Sequence, residues 1–278
     1  MTKSFKTVLL TLLVGASLLT LAGCGSSSTP TKTASVTGEI NGGGSTSVQK
    51  VIDAAGSEFT ALNPDVKFTY SGTGSSDGIK GAKADTYSFG CSSRDLTADE
   101  KPGLKEITFA YDGIALIVNP ANTVKDLTKE QLTSIYTGAI TNWSEVGGAD
   151  APIVVVSRED GSGTRTAIEE LLGFTNKLKP DATVKEGNGN VQTTVAGNAN
   201  SIGYVSLTFV DKTVTALNVG GIQATVANVL NKTYTLSRPF LAFYDEAKPN
   251  DATKAFLDFL MTPEGQKIVT DQGAITVL

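Results

Sequence analysis

The stretch IVVVSREDGSGTRTAIEELL, residues 153–172, decides how this chain is built. It opens on four β-branched residues, the composition of a short buried strand. Asp160, Gly161, Ser162, Gly163 and Thr164 follow, which is turn and helix-start chemistry. Ile168, Leu171 and Leu172 then recur at helical spacing. Strand, glycine turn and helix in immediate succession form the repeating unit of an α/β fold.

Working outward, the same design occurs twice more, at GGGSTSV (42–48) and SGTGSSDG (71–78). Pattern and punctuation predict strands over 36–40, 66–70, 86–91, 153–156 and 202–205. They predict helices over 47–62, 78–84, 129–136, around Ile168–Leu172, over 191–196 and over 251–271, the last interrupted at Met261-Thr262-Pro263. Residues 107–118 form a long apolar run containing Asp112-Gly113, which bends there or passes between domains. Residues 234–243 read as extended and contain Pro239. Strands alternate with helices throughout, so the fold class is α/β with mainly parallel sheets.

The chain has 278 residues, 40% of them hydrophobic and 18% charged, enough for one large or two modest ordered domains. Lys3 and Lys6 precede an apolar run over 8–22 that is too short for a membrane span and reads as an export signal. Leu21-Ala22-Gly23-Cys24 resembles a bacterial lipobox, which implies a signal peptide over 1–23 and lipidation (palmitate) at Cys24. Residues 24–35 read as the anchor and a flexible tether. Removing 1–23 takes two lysines and no acids from a formal net charge of −5, leaving −7. That balance argues against nucleic acid as a partner. With Cys24 lipidated, Cys91 has no partner and reads as a small buried apolar residue. The chain has no histidine, which excludes a Ser-His-Asp triad and histidine-ligated zinc. Neither a metal nor a cofactor is expected.

Each glycine turn can offer free backbone N–H groups at a helix start together with hydroxyl donors, an arrangement suited to an anion. In open α/β sheets ligands sit at the carboxyl ends of strands, where all three turns fall. Helix capping alone would explain any one of them. Nucleotide binding finds no support, because neither GxxxxGK[ST] nor GxGxxG occurs at these turns. Arg158 can fork onto two oxygens of an oxyanion, or pair at the surface with Glu159 or Asp160. Asp160 can accept a proton that the ligand carries, orient Arg158, or cap the next helix.

These residues carry a resemblance. GSTSV (44–48), YSGTGSSDGI (70–79), FGCSSRDL (89–96), DGIALIVNP (112–120), IYTGAITNWSEVGG (135–148), SREDGSGTR (157–165), IGYVSL (202–207) and SRPF (237–240) resemble the substrate-binding lipoproteins of bacterial phosphate ABC importers, the PstS family. The resemblance implies a two-lobed periplasmic-binding-protein fold with a ligand cleft between the lobes. One lobe would span 36–112 plus 240–278, the other 113–239, with the chain crossing twice. It further implies a monomer, lipid-anchored on the extracytoplasmic face of the cell membrane, that binds inorganic phosphate and delivers it to a membrane permease without catalysis. The implied phosphate contacts are Thr46, Ser47, Ser75, Arg158, Asp160, Ser162, Gly163 and Thr164. In some members an aspartate two residues before the glycine of the FG strand accepts the phosphate proton. Ser88 stands at that position here.

Two alternatives stand beside this reading. One is a binding protein for sulfate, molybdate or another oxyanion, or a phosphate sensor. The other is an exported serine enzyme, from the S-x-x-K spacing of Ser47 and Lys50, although no S-x-N or K-[ST]-G follows.

Overall fold

The computed structural model describes residues 36–248 and 250–278. In chain order the elements are β1 (Gly38–Gly44), α1 (Gln49–Leu62), β2 (Val66–Gly72), α2 (Ser75–Lys83), β3 (Phe89–Ser92), β4 (Leu104–Val118), β5 (Asp126–Leu127), α3 (Lys129–Thr137), β6 (Val154–Arg158), α4 (Gly163–Leu172), β7 (Thr183–Lys185), α5 (Gly187–Ala196), β8 (Ser201–Ser206), β9 (Thr215–Ala216), β10 (Asn218–Val219), α6 (Val226–Leu230), β11 (Ser237–Asp245), α7 (Asp251–Leu260) and α8 (Pro263–Asp271). The αβ alternation predicted from periodicity is present. The last predicted helix is two helices, since Thr262 caps α8 and Pro263 occupies its first turn.

The main strands form one path, β2-β1-β3-β11-β4-β8-β6-β7, with β9 also on β4. β1 pairs parallel with β2 and β3, and β6 pairs parallel with β7 and β8. β11 runs antiparallel to β3 and β4, and β4 antiparallel to β8 and β9. The sheet is therefore mixed. Its antiparallel centre arises because β4 and β11 are long strands that carry the chain in opposite directions between two hydrophobic cores.

One core gathers Ile40, Val51, Phe59, Phe89, Phe109, Phe240, Phe256 and their neighbours. Phe256 is its hub, with ring centroids 4.8 Å from Phe68 and 5.6 Å from both Phe59 and Phe89. The other runs from Ile114 to Leu236 and includes Trp143, Tyr204 and Ile275. A small third cluster joins Ile79, Leu96, Leu241 and Phe243. The C-terminus adds a further link between the two large cores, because Ala274 packs in the first and Ile275 in the second.

Two glycines set the position of α2. A Cβ on Gly78 would lie 2.8 Å from the Gly43 carbonyl oxygen, and one on Gly44, at φ +128°, would lie 2.3 Å from that of Cys91. Without side chains there, α2 packs directly on the backbones of β1 and β3, and its N-terminus is driven in over the strand ends.

Candidate functional site

The turns after β1, β2 and β6 all leave carboxyl strand ends, and the fold brings them together. The Ser76 N–H donates to the Gly161 carbonyl at 3.1 Å, so the second and third turns touch. Ser47 and Thr164 meet hydroxyl to hydroxyl at 2.9 Å across 117 residues of sequence. Gly163 faces Ser75 so closely that a Cβ would sit 2.2 Å from the Ser75 hydroxyl and 2.9 Å from that of Ser93. The N-termini of α2 and α4 both lie at this junction, and the first N–H groups of a helix lack partners within it.

β6 delivers Arg158 to the centre. Its backbone N–H donates to the Tyr204 hydroxyl at 3.2 Å, and that hydroxyl also bonds Ser157 at 2.7 Å. Burial pushes the Tyr204 phenol up to about 12, so it stays neutral. The Arg158 side chain is 1% exposed. Its Nε and Nη2 fork onto Glu159 at 2.8 and 2.7 Å. Nη2 also reaches the Thr46 hydroxyl at 3.1 Å, and Nη1 the Thr164 hydroxyl at 3.4 Å. Burial pushes the Glu159 carboxyl up, but Arg158 and the Gly187 N–H pull it down further, leaving it below the ordinary carboxylate range.

Four buried residues complete the cluster that sequence reasoning did not find. Asn188, the second residue of α5, donates to both Thr46 and Ser47 hydroxyls at 3.0 Å, and its Oδ1 accepts from the Ser206 N–H at 3.0 Å. Arg238 donates from Nη2 to the Ser47 hydroxyl at 3.1 Å and to Asp112 at 3.0 Å. Arg238 and Asp112 face each other in register on β11 and β4, where the chain passes between the cores. Ser93 lies beside Ser45 at 2.8 Å, its N–H donates to the Ser75 hydroxyl at 3.1 Å, and its carbonyl accepts from Arg238 at 3.2 Å.

Thr46, Ser47, Ser75, Arg158, Ser162, Gly163 and Thr164 thus share one place. Ser162 also caps α4, accepting from the Arg165 N–H at 3.3 Å. One predicted contact, Ser88, is not brought in, and another, Asp160, borders the cleft without touching Arg158. Ser88 precedes β3 at the amino end of the strand, where its hydroxyl exchanges hydrogen bonds with the Asn41 backbone. The site lies past the other end of β3, where Ser93 stands. The Asp160 carboxylate is 96% exposed and pairs with Arg165 at 2.6 Å, so Glu159 rather than Asp160 orients Arg158. Arg94 is committed to Glu100 through two bonds of 2.7 and 2.8 Å. Cys24 lies outside the described residues.

A cleft of about 740 Å³ opens over Thr46 and Asn188, bounded by Gly72, Thr73, Asp77 and Phe209. Both buried cations of the cluster, Arg158 and Arg238, are matched by carboxylates, so attraction for an anion comes from N–H and O–H donors and helix ends rather than surplus formal charge. The serine-enzyme alternative fails on geometry. Lys50 turns from Ser47 to the Thr208 carbonyl at 2.9 Å and lies 4.1 Å over the Phe209 ring. Among the described residues no group of three or more acids and cysteines could hold a metal.

Two α/β halves meeting over a buried nest of donors define a periplasmic-type binding protein. Residues 29–264 match the PBP superfamily domain. The phosphate-binding protein PstS of Bacillus subtilis strain 168 is 33% identical over 290 residues, covering 97% of this chain and 94% of its own. That of Borreliella burgdorferi is 32% identical over 249 residues, covering 84% and 88%. Among solved structures, a Clostridium perfringens protein with bound phosphate, assigned as a phosphate ABC transporter substrate-binding protein, is 49% identical. It superposes with a TM-score of 0.85, covering 87% of this chain and 100% of its own. This chain belongs to the PstS family.

Proposed function

We propose that this chain binds inorganic phosphate in the cleft, outside the cytoplasm, and delivers it to the permease of an ABC importer. The observation that carries this reading is the convergence of Thr46, Ser47, Ser75, Ser162, Gly163 and Thr164 on buried Arg158. The relatives named above are phosphate-binding proteins, and the Clostridium perfringens structure holds phosphate. The chemistry is binding without catalysis.

In this reading the lobes divide near Asp112-Gly113 and near Pro239-Phe240, a division supported by the separate hydrophobic cores. Closure of the lobes buries the ligand, and the closed form is what the permease meets. Residues 1–23 direct export, and a lipid on Cys24 holds the protein at the membrane surface. Among the described residues no helix is long and apolar enough to cross a membrane.

Competition calorimetry tests the ligand. Phosphate is expected to bind one per chain and more tightly than sulfate. Sulfate binding at least as tightly as phosphate would move the assignment to another oxyanion.

A further inference from the structure

Glu159, Arg158, Thr46, Asn188, Ser47, Arg238 and Asp112 form one unbroken chain of hydrogen bonds. A carboxylate closes each end, an arginine follows it, a hydroxyl follows each arginine, and Asn188 joins the two hydroxyls at the middle. Both amide protons of Asn188 are used, one on each hydroxyl. The amide cannot be turned over, because its oxygen accepts from the Ser206 N–H. The Thr46 oxygen therefore accepts twice, from Arg158 and Asn188. The Ser47 oxygen also accepts twice, from Arg238 and Asn188. A hydroxyl has two lone pairs and one proton. With both lone pairs filled by N–H donors, each hydroxyl can only donate.

We infer that Asn188, together with Arg238, is a positioning residue that fixes the polarity of this wall of the site. The polarity passes one step further. Ser47 must be the donor in its contact with Thr164, and Thr164 also accepts from Arg158, so Thr164 in turn can only donate. Ser47 spends its single proton on Thr164, so the protons left for the ligand are those of Thr46 and Thr164; these obligate donors favour unprotonated oxygens and disfavour a P–OH group directed at them. They select the dianion of phosphate over the monoanion. Asn188 is 1% exposed, and its two hydroxyl contacts span 141 and 142 residues of sequence, so this function is not that of a local cap.

The inference rests on the phosphate-binding reading and can fail separately from it. The probe is inorganic phosphate, titrated by calorimetry at about pH 5.5 and 8. The chain has no histidine; the carboxyls on this wall and its cleft are Glu159, held low by Arg158, Asp112, raised by burial, and Asp77, Asp160 and Glu186, so each variant is read against the wild type at the same two pH values. Wild-type affinity should rise with pH. Asn188→Leu frees one lone pair on each hydroxyl, which can then accept from P–OH. Affinity should fall about tenfold at the higher pH and much less at the lower, flattening the profile. Asn188→Asp keeps the shape and the Ser206 contact but offers acceptors to both hydroxyls. It should lose about a hundredfold or more at the higher pH. Melting temperature without phosphate identifies a variant that has simply lost its fold, and Asn188→Asp then carries the test. If both variants lose affinity equally at the two pH values, or lose none, the inference is overturned while phosphate binding stands. If the wild-type chain binds no phosphate, the underlying reading falls first.

Discussion

Replacing Arg158 by alanine should weaken phosphate binding roughly a hundredfold to a thousandfold in calorimetry. Truncating one partner of a buried, hydrogen-bonded charge pair costs about 2–5 kcal/mol, and each 1.4 kcal/mol is tenfold in affinity. Three losses combine here. The site loses a buried positive charge and the one guanidinium N–H, on Nη1, that the described residues leave free for an anion, Thr46 loses one of the two groups that set its hydroxyl, and Glu159 becomes a partly buried carboxylate with its cation gone. Arg158→Lys should recover only part of the loss, because a single ammonium cannot serve Glu159, Thr46 and Thr164 in one plane. Unchanged affinity in Arg158→Ala would remove this residue, and with it the site, from the assignment.

The largest stability effect should come from Arg238→Met. Asp112 is fully buried, and burial already pushes its carboxyl up against the pull of Arg238, Ser206 and the Leu207 N–H. Removing the guanidinium leaves a buried acid without its cation, at a cost of about 3–5 kcal/mol in urea denaturation. The double variant Arg238→Met with Asp112→Leu should recover much of that, since an apolar pair of similar volume is often no less stable than a buried ion pair. If the double variant is as unstable as the single one, the pair is not the source of the loss. The two experiments separate the roles: in the proposed site Arg158 faces the anion, while Arg238 bonds Ser47 and Asp112 and mainly holds the crossing strands.

Much of this was readable from residue order. The β-branched run 153–156, the glycine turns and the apolar spacing of Ile168, Leu171 and Leu172 are local signals, and local signals survive into the fold. Strand direction is not local. Nothing in 104–118 or 237–245 announces that these strands pair antiparallel and make the sheet mixed. Asn188 was hidden for the same reason. It lies in GNGN, read as the approach to a helix beginning at Val191, whereas α5 begins at Gly187 and carries Asn188 in its first turn. Arg238 and Asp112 meet across 126 residues, a register no single stretch contains. Ser88 differs from its expected place for a reason that is itself local. Ligands gather at carboxyl strand ends, and the predicted strand ended at Cys91. Applied there, the rule points past Cys91 to Ser93, which the structure places against Ser45 and Ser75.

The paired course of β4 and β11 has a mechanical consequence. Two single connecting threads would let the halves swing, shear and stretch with little resistance. Here the threads are bonded edge to edge from Leu104–Asp245 to Gly113–Ser237, with one register slip at Phe240–Leu241. Such a ribbon behaves as a leaf spring. It is stiff against extension and in-plane shear, and compliant in bending and twist, most of all at the slipped register. In the proposed closure the joint restricts the path of the lobes and guides the donors of both toward the same cleft.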